Sequence, residues 1–423
     1  HQNENWVRNR TLELYGKHYT LSWPHEEHES GRPFLTSPIY EKLKDQGACF
    51  GSKLGWERPN WFAPQGTEPF NKYSFHTRRT NWFKTVGDEV KAVREKVGLL
   101  DLTSFTKHEI SGPGAEDYLN KLIANRLPTT QGGTVLGHAL TASGGVESEF
   151  TITRDGDKIF AVSSGAAERH DHDVLLRTLP RDGSVTLNNI TLEHGTLVVC
   201  GPHSRDLLSK ITDADLSNDG FPWLTSQRIS VAGVSLLALR VNFVGELGWE
   251  LHHPIDQQVQ LFDAIVEAGE EFGLRHFGMY AMESMRLEKS YRMWGSDLTR
   301  EYSILEAGLS RFVRLKKDEF AGKEALLKQK ETGVPQEFVT LEIDATDADA
   351  IGSEPIFRNG EMIGRATSGC YGHSIGKSLA LAYVQSGNGD IGTELEIEII
   401  GERRPALVIP ESPCDPDNLK LRA

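Results

Sequence analysis

The sequence is short of cysteine, of positive charge and of long apolar runs, and each shortage removes a class of protein. Four cysteines stand in 423 residues, Cys49, Cys200, Cys370 and Cys414, and no two of them form a CxxC pair. That scatter excludes a disulfide framework and a zinc ribbon, and it fits a reducing compartment. No apolar run approaches the roughly 20 residues of a membrane-spanning helix, so no membrane partner is expected. Lys and Arg number 46 against 60 Asp and Glu, a formal net charge of -14. A phosphate backbone calls for a basic face, so no nucleic-acid partner is expected, although a local cationic cluster can still bind a small anion. A P-loop and HExxH are also missing, and His25-Glu26-Glu27-His28 has the wrong spacing for the latter. His170-Asp171-His172-Asp173 has no separated partner motif and reads as a polar face, so no metal site is expected.

What is present points to several domains. With 38% hydrophobic and 25% charged residues, the chain has material for sizeable cores, and it exceeds one ordinary domain of roughly 100–200 residues. The opening stretch, His1 to Lys17, is polar, lacks an initiator Met and reads as the cut edge of a longer polypeptide. Arg32 to Pro69, rich in Pro, Gly and aromatics, reads as an ordered but irregular connector. From Asn81 the texture is mixed. Helical spacing runs over Gly114 to Asn125, Asp256 to Gly273 and Met282 to Tyr291, with Gly273 a helix stop. Strand-like runs cover Phe150 to Thr153, Thr196 to Cys200 and Ser235 to Val244. The composition turns polar near Lys328 to Gln336. Beyond it Phe338 to Ile343 and Glu394 to Ile400 alternate around turns at Asn359-Gly360 and Gly401, which predicts a small antiparallel barrel or jelly roll.

Several ordered segments resemble one family. Arg32-Pro33-Phe34-Leu35-Thr36-Ser37-Pro38-Ile39-Tyr40 and Gly51-Ser52-Lys53-Leu54-Gly55-Trp56-Glu57-Arg58-Pro59-Asn60-Trp61-Phe62-Ala63-Pro64 are similar to a segment of the dimethylglycine and sarcosine dehydrogenases. Arg94 to Asp101, Gly144-Gly145-Val146, Gly245 to Leu251, Ser284 to Lys289 and Ile304 to Leu309 continue the series. In those enzymes the matching region follows a flavin domain and is similar to the glycine-cleavage aminomethyltransferase, or T-protein. The resemblance therefore implies an α+β, T-protein-like folate-binding fold with a C-terminal antiparallel β-barrel or jelly-roll domain. It divides the chain into a connector remaining from a preceding flavin domain (1–69), a T-protein-like region (70–332) and the barrel (333–423). Here Gly112-Pro113-Gly114 lacks the third glycine of a flavin-binding GxGxxG turn. FAD is accordingly expected only in a domain or subunit outside this chain, which by itself should oxidise nothing.

The chemistry implied is capture of the carbon of an N-methyl amine on tetrahydrofolate, giving 5,10-methylenetetrahydrofolate. A carboxylate at the folate nitrogens orients the amine and stabilises developing positive charge. Glu149 holds that catalytic place, where T-proteins generally have Asp. A second carboxylate accepts the paired N3–H and 2-amino donors of a pterin, and Glu250 ends the matching motif. Phe243, where the T-protein pattern has Tyr, and Glu246 complete the expected cofactor-binding loop, with Glu246 better suited to supporting it. Arg286, spaced three from Lys289, meets either an acidic neighbour or the folate glutamate tail. Leu136-Gly137 lacks the aromatic frequent there in the family, and Trp56 and Trp61 read as packing. The expected partners are folate and an FAD-containing oxidoreductase domain or subunit, in bacterial cytoplasm or the mitochondrial matrix. A stand-alone folate-dependent demethylase or aminomethyltransferase, and a non-catalytic subunit docking to a flavoprotein, are the rival readings.

Overall fold

Period-two burial organises the first sheet. Along Val146–Asp155, buried Val146, Ser148, Phe150 and Ile152 alternate with half-buried Glu147, Glu149 and Thr151, so one face meets core and the other stays reachable. The computed structural model describes residues 3–20, 26–71 and 79–423. In it this strand joins a five-stranded sheet in the spatial order Thr134–Leu140, Val146–Asp155, Lys158–Ser163, Thr106–Ser111, Thr186–Asn189. Helix Ala115–Leu122 covers the core face, packing Tyr118 and Leu119 against Phe150 and Ile152.

A six-stranded sheet lies beside it, ordered Ser226–Val231, Val234–Leu239, Gly248–Pro254, His194–Cys200, Gly98–Asp101, Arg275–His276. Its outer face is sealed by helix Gln258–Gly269, whose Leu261, Phe262 and Ile265 join Leu197, Val199, Trp249 and Leu251. The two sheets touch through Phe160 and Val162 of one and Leu237 and Leu239 of the other. Glycine at 273 adopts φ +67°, the left-handed stop anticipated from the sequence.

Beyond helix Lys323–Thr332 the chain closes a six-stranded antiparallel barrel from Gln336–Ile343, Pro355–Arg358, Glu361–Gly372, Lys377–Gln385, Glu394–Ile399 and Glu402–Ile409. Asn359 and Gly360 both have positive φ, as do Ile400 and Gly401, and these pairs make its tight turns. Its interior is aliphatic, with Leu341, Ile356, Ala382 and Ile397 fully buried. Removing Leu341 to Ala would cost about 2–5 kcal/mol. The α+β class and the antiparallel barrel are as the sequence implied.

Three local expectations need correction. The connector contains a buried hairpin, Ala48–Lys53 paired with Trp56–Phe62, preceded by a short helix, Tyr40–Asp45. The strand expected from Ser235 to Val244 ends at Leu239, because Asn242 Oδ1 accepts from the backbone N–H groups of Val244 and Gly245 and turns the chain. The helix expected to reach Tyr291 ends at Leu287, and Ser290 adopts φ +53°.

Candidate functional site

Glu149 and Glu250 come from different sheets and share a construction. Glu149 stands directly opposite His138 in the strand register, and its Oε2 lies 2.8 Å from His138 Nε2. Glu250 Oε2 lies 3.2 Å from Nε2 of His252, two residues along the same strand. Both histidines are essentially fully buried, while the carboxylates keep 19% and 13% of their side-chain surface exposed. Each carboxylate thus has one oxygen fixed by an imidazole, and its other oxygen, Oε1, has no protein partner among the described residues and is not sealed from solvent. A half-buried carboxylate left with an open oxygen is an acceptor prepared for an external N–H donor.

His252 Nδ1 is 3.0 Å from Thr196 Oγ1, and burial pulls its pKa down, with Glu250 only partly restoring it. A neutral His252 accepts from the Thr196 hydroxyl and donates Nε2–H to Glu250. Nearby, the buried ammonium of Lys107 donates to the carbonyl oxygens of Thr103 (2.9 Å) and Phe105 (2.7 Å). Burial pushes the Lys107 pKa down to about 7, offset in part by the fields of Asp101 and Glu250. Lys107 sits on a strand of the first sheet and Glu250 on one of the second, so the sheets abut at this carboxylate.

The His138 ring lies 5.8 Å from that of Phe312, and the Phe243 ring lies 5.7 Å from that of Tyr291. Tyr291 and Phe312 belong to one irregular segment running from helix Met279–Leu287 towards helix Lys323–Thr332. Leu136 shares the His138–Glu149 face, whereas Gly137 points the other way, where a Cβ would stand 2.7 Å from Ile152. A cavity of about 1440 Å³ lies elsewhere, on the barrel flank near Arg79, Phe83, Tyr371 and Lys377. Neither carboxylate lines it.

Two of the residues expected to bind cofactor are committed to the protein. Glu246 is buried and paired with Arg94 Nη1 at 2.8 Å and Lys420 Nζ at 3.1 Å. Arg94 also holds Glu288 at 2.9 Å and the Val244 carbonyl at 2.7 Å, so Glu246 anchors the 240–247 loop. Arg286, fully buried, donates to Glu283, to Asp297 Oδ2 (2.6 Å) and to the Tyr291 carbonyl (2.8 Å). Of its two anticipated uses, the acidic neighbour is the one found. Lys289 turns away to the Cys414 and Asp415 carbonyls. Trp56 and Trp61 are buried, and Trp61 Nε1 donates to Asn71 Oδ1 at 2.8 Å, a packing role. His170 faces the Glu147 carbonyl, while His172 pairs with His108 at 3.1 Å, so the run is divided between neighbours.

Sequence reasoning missed His138, His252 and Lys107. His252 had a weak signal, since residues two apart on a strand share a face. His138 had none, because its link to Glu149 depends on cross-strand register.

Comparison with known proteins fits this architecture. A family model described as "GCVT N-terminal domain" matches residues 39–317, and one described as "Glycine cleavage T-protein C-terminal barrel domain" matches 336–415. A third, "FAD dependent oxidoreductase central domain", matches 1–37. Human mitochondrial dimethylglycine dehydrogenase is 40% identical over 406 residues, which cover 95% of this chain and 46% of that enzyme. The chain therefore spans about half the length of that relative. An aminomethyltransferase from Thermoanaerobacter is 31% identical over 77% of this chain and 89% of its own length. Among solved structures, the glycine cleavage system aminomethyltransferase T from Bartonella henselae superposes with a TM-score of 0.77 over 90% of this chain and 98% of its own, at 22% identity. The chain belongs to the glycine cleavage T-protein family, as an aminomethyltransferase-type module related to dimethylglycine and sarcosine dehydrogenases.

Proposed function

We propose that this chain binds tetrahydrofolate and captures on it the carbon of an oxidised N-methyl amine of the dimethylglycine or sarcosine type, serving an FAD-dependent dehydrogenase. The observation that carries the reading is the pair of half-buried carboxylates, each with one oxygen held by a buried histidine and the other open. Glu250 is assigned to the pterin, whose adjacent N3–H and amino donors match a carboxylate edge. Glu149 is assigned to the folate amines. Phe243 is assigned to the ring face, and Glu246 and Arg286 to holding the loop and helix that shape the site. The acceptor set fits folate because anionic acceptors with open lone pairs are what its N–H groups need.

Overall, an iminium and tetrahydrofolate give 5,10-methylenetetrahydrofolate, one proton and the demethylated amine, secondary from a dimethylglycine-type substrate and primary from a sarcosine-type one. Tetrahydrofolate supplies the accepting amines. Glu149 takes the proton that must leave nitrogen, and its partial exposure lets it return that proton to water. FAD is assigned to a domain or subunit outside these residues, a reading supported by the match of residues 1–37 to an FAD-dependent oxidoreductase domain. We also place domain divisions near 69 and 332. A second reading, transfer from an aminomethyl donor with no oxidation step, is supported by the coverage of 89% of the Thermoanaerobacter aminomethyltransferase.

Isothermal titration with tetrahydrofolate tests the proposal. Saturable heat at micromolar protein is expected, and its absence would end the folate reading. Trapping 5,10-methylenetetrahydrofolate with a demethylating flavoprotein, and not with an aminomethyl donor alone, separates the two readings.

A further inference from the structure

His138 is wholly buried opposite Glu149, with Nε2 at 2.8 Å from the carboxylate. Its other nitrogen, Nδ1, is also buried and has no hydrogen-bond partner among the described residues. Phe312 packs beside the ring. This asymmetry selects one protonation state. An imidazolium carries two N–H donors, and the Nδ1–H tautomer carries one on the wrong side. Either would bury an N–H with no acceptor, and the Nδ1–H tautomer would also set a bare Nε2 lone pair against the carboxylate, whereas the Nε2–H tautomer leaves a single lone pair unpaired. The remaining state is neutral, with its hydrogen on Nε2 and pointed at Glu149. His252 makes the contrast: there Nδ1 has the Thr196 hydroxyl beside it.

Resting on the folate reading above, we propose that His138 is the positioning residue of the reaction: a neutral Nε2–H donor that pins one oxygen of Glu149 and presents the other to the reacting amine. It does not relay the proton. Glutamate has several rotatable bonds, and an unpinned carboxylate would sample several positions at an entropic cost on each productive approach. The fixed donor removes that sampling while leaving Glu149 anionic and able to take a proton. That proton departs through the exposed side of the carboxylate, because the imidazole has nowhere to house it.

The test combines spectroscopy and substitution on the full chain. In ¹⁵N-histidine-labelled protein, with the His138 signals assigned by their loss in His138→Gln, Nδ1 is expected to be pyridine-like and Nε2 pyrrole-like, with and without tetrahydrofolate. Two protonated nitrogens in either state overturn the proposal. Formation of 5,10-methylenetetrahydrofolate from tetrahydrofolate and formaldehyde, above the uncatalysed rate, supplies the kinetic arm. His138→Phe is expected to lower that rate on the order of 10²-fold, the size of effect produced by misplacing a catalytic group. His138→Gln, whose amide nitrogen can stand where Nε2 stands, recovers most of the loss, and both variants keep the wild-type Kd for tetrahydrofolate within about threefold. A folded His138→Gln as slow as His138→Phe indicates a relay and overturns positioning, as does a His138→Phe of wild-type rate. A wild type that binds no tetrahydrofolate overturns the folate reading, whereas one that binds while His138 is doubly protonated overturns positioning alone.

Discussion

Replacing Glu250 by Gln and by Ala separates folate recognition from local stability. In Glu250→Ala both acceptor oxygens go, and the buried Nε2–H of His252, now 3.2 Å from an oxygen, loses its partner. An unpaired buried donor costs about 1–3 kcal/mol of stability. Two charge-assisted bonds to the pterin go as well, about 2–4 kcal/mol of binding, a factor of roughly 30 to 1,000 in Kd. In Glu250→Gln the amide oxygen can still accept from His252, so stability stays within about 0.5 kcal/mol of wild type. The amide nitrogen then faces a pterin donor, two hydrogens opposed, so binding falls nearly as far as in the alanine variant. Tetrahydrofolate calorimetry gives the affinities, and urea unfolding followed by circular dichroism gives the stabilities. A glutamine variant that binds like wild type would refute the assignment of Glu250 to the pterin. One that is destabilised as much as the alanine variant would refute the account of His252.

Three further outcomes follow from buried charge. Lys107 has a pKa of about 7 in the fold against 10.5 for a free side chain, so the unfolded chain binds more protons between those values and wild-type stability rises with pH across that window. Denaturation of wild type and Lys107→Met at pH 7 and pH 9.5 should therefore show wild type gaining on the variant, by at most about 1.4 kcal/mol per pH unit. Asp171, buried beside Ser148 and Ser163, has its pKa lifted to about 6 from 3.8, so ionisation above pH 6 opposes folding. Asp171→Asn should be more stable than wild type at pH 7.5, by about 1–3 kcal/mol, and no more stable at pH 3.5; urea midpoints at the two pH values decide it. Arg94→Met leaves buried Glu288 without a cation among the described residues and Glu246 with Lys420 alone, and should cost about 3–5 kcal/mol in urea denaturation.

Much of the scaffold was legible because local rules and tertiary context agree. Asn359-Gly360 signalled a hairpin, and both residues take the left-handed conformation such a turn requires. The overrun at Ser235 to Val244 has a different origin. The apolar pattern continues past the strand, and a single side chain, Asn242, turns the backbone out of it. The hairpin in the connector escaped notice because Trp56–Phe62 is buried on both faces and contains Pro59, which argues against a strand; the proline pairs with Phe50 beside a bulge, where the ladder tolerates it. At the candidate site, motifs singled out the two carboxylates, because their spacing survives in the linear chain. The imidazoles behind them were hidden, since register and burial belong to the folded state alone.

The Asp297 carboxylate collects four donors: Arg286 and the Met293 backbone from one side, and the hydroxyls of Thr367 and Ser368 from the barrel. It works as a rivet between the segment after helix Met279–Leu287 and the barrel, across the division proposed near 332. Expressed without the barrel, the first 332 residues would keep this anion with half its partners and open it to solvent beside the segment that carries Tyr291. On the proposed folate reading, the loss would be felt at the site before any contact with folate had been touched, so a truncated chain is the wrong material for measuring affinity.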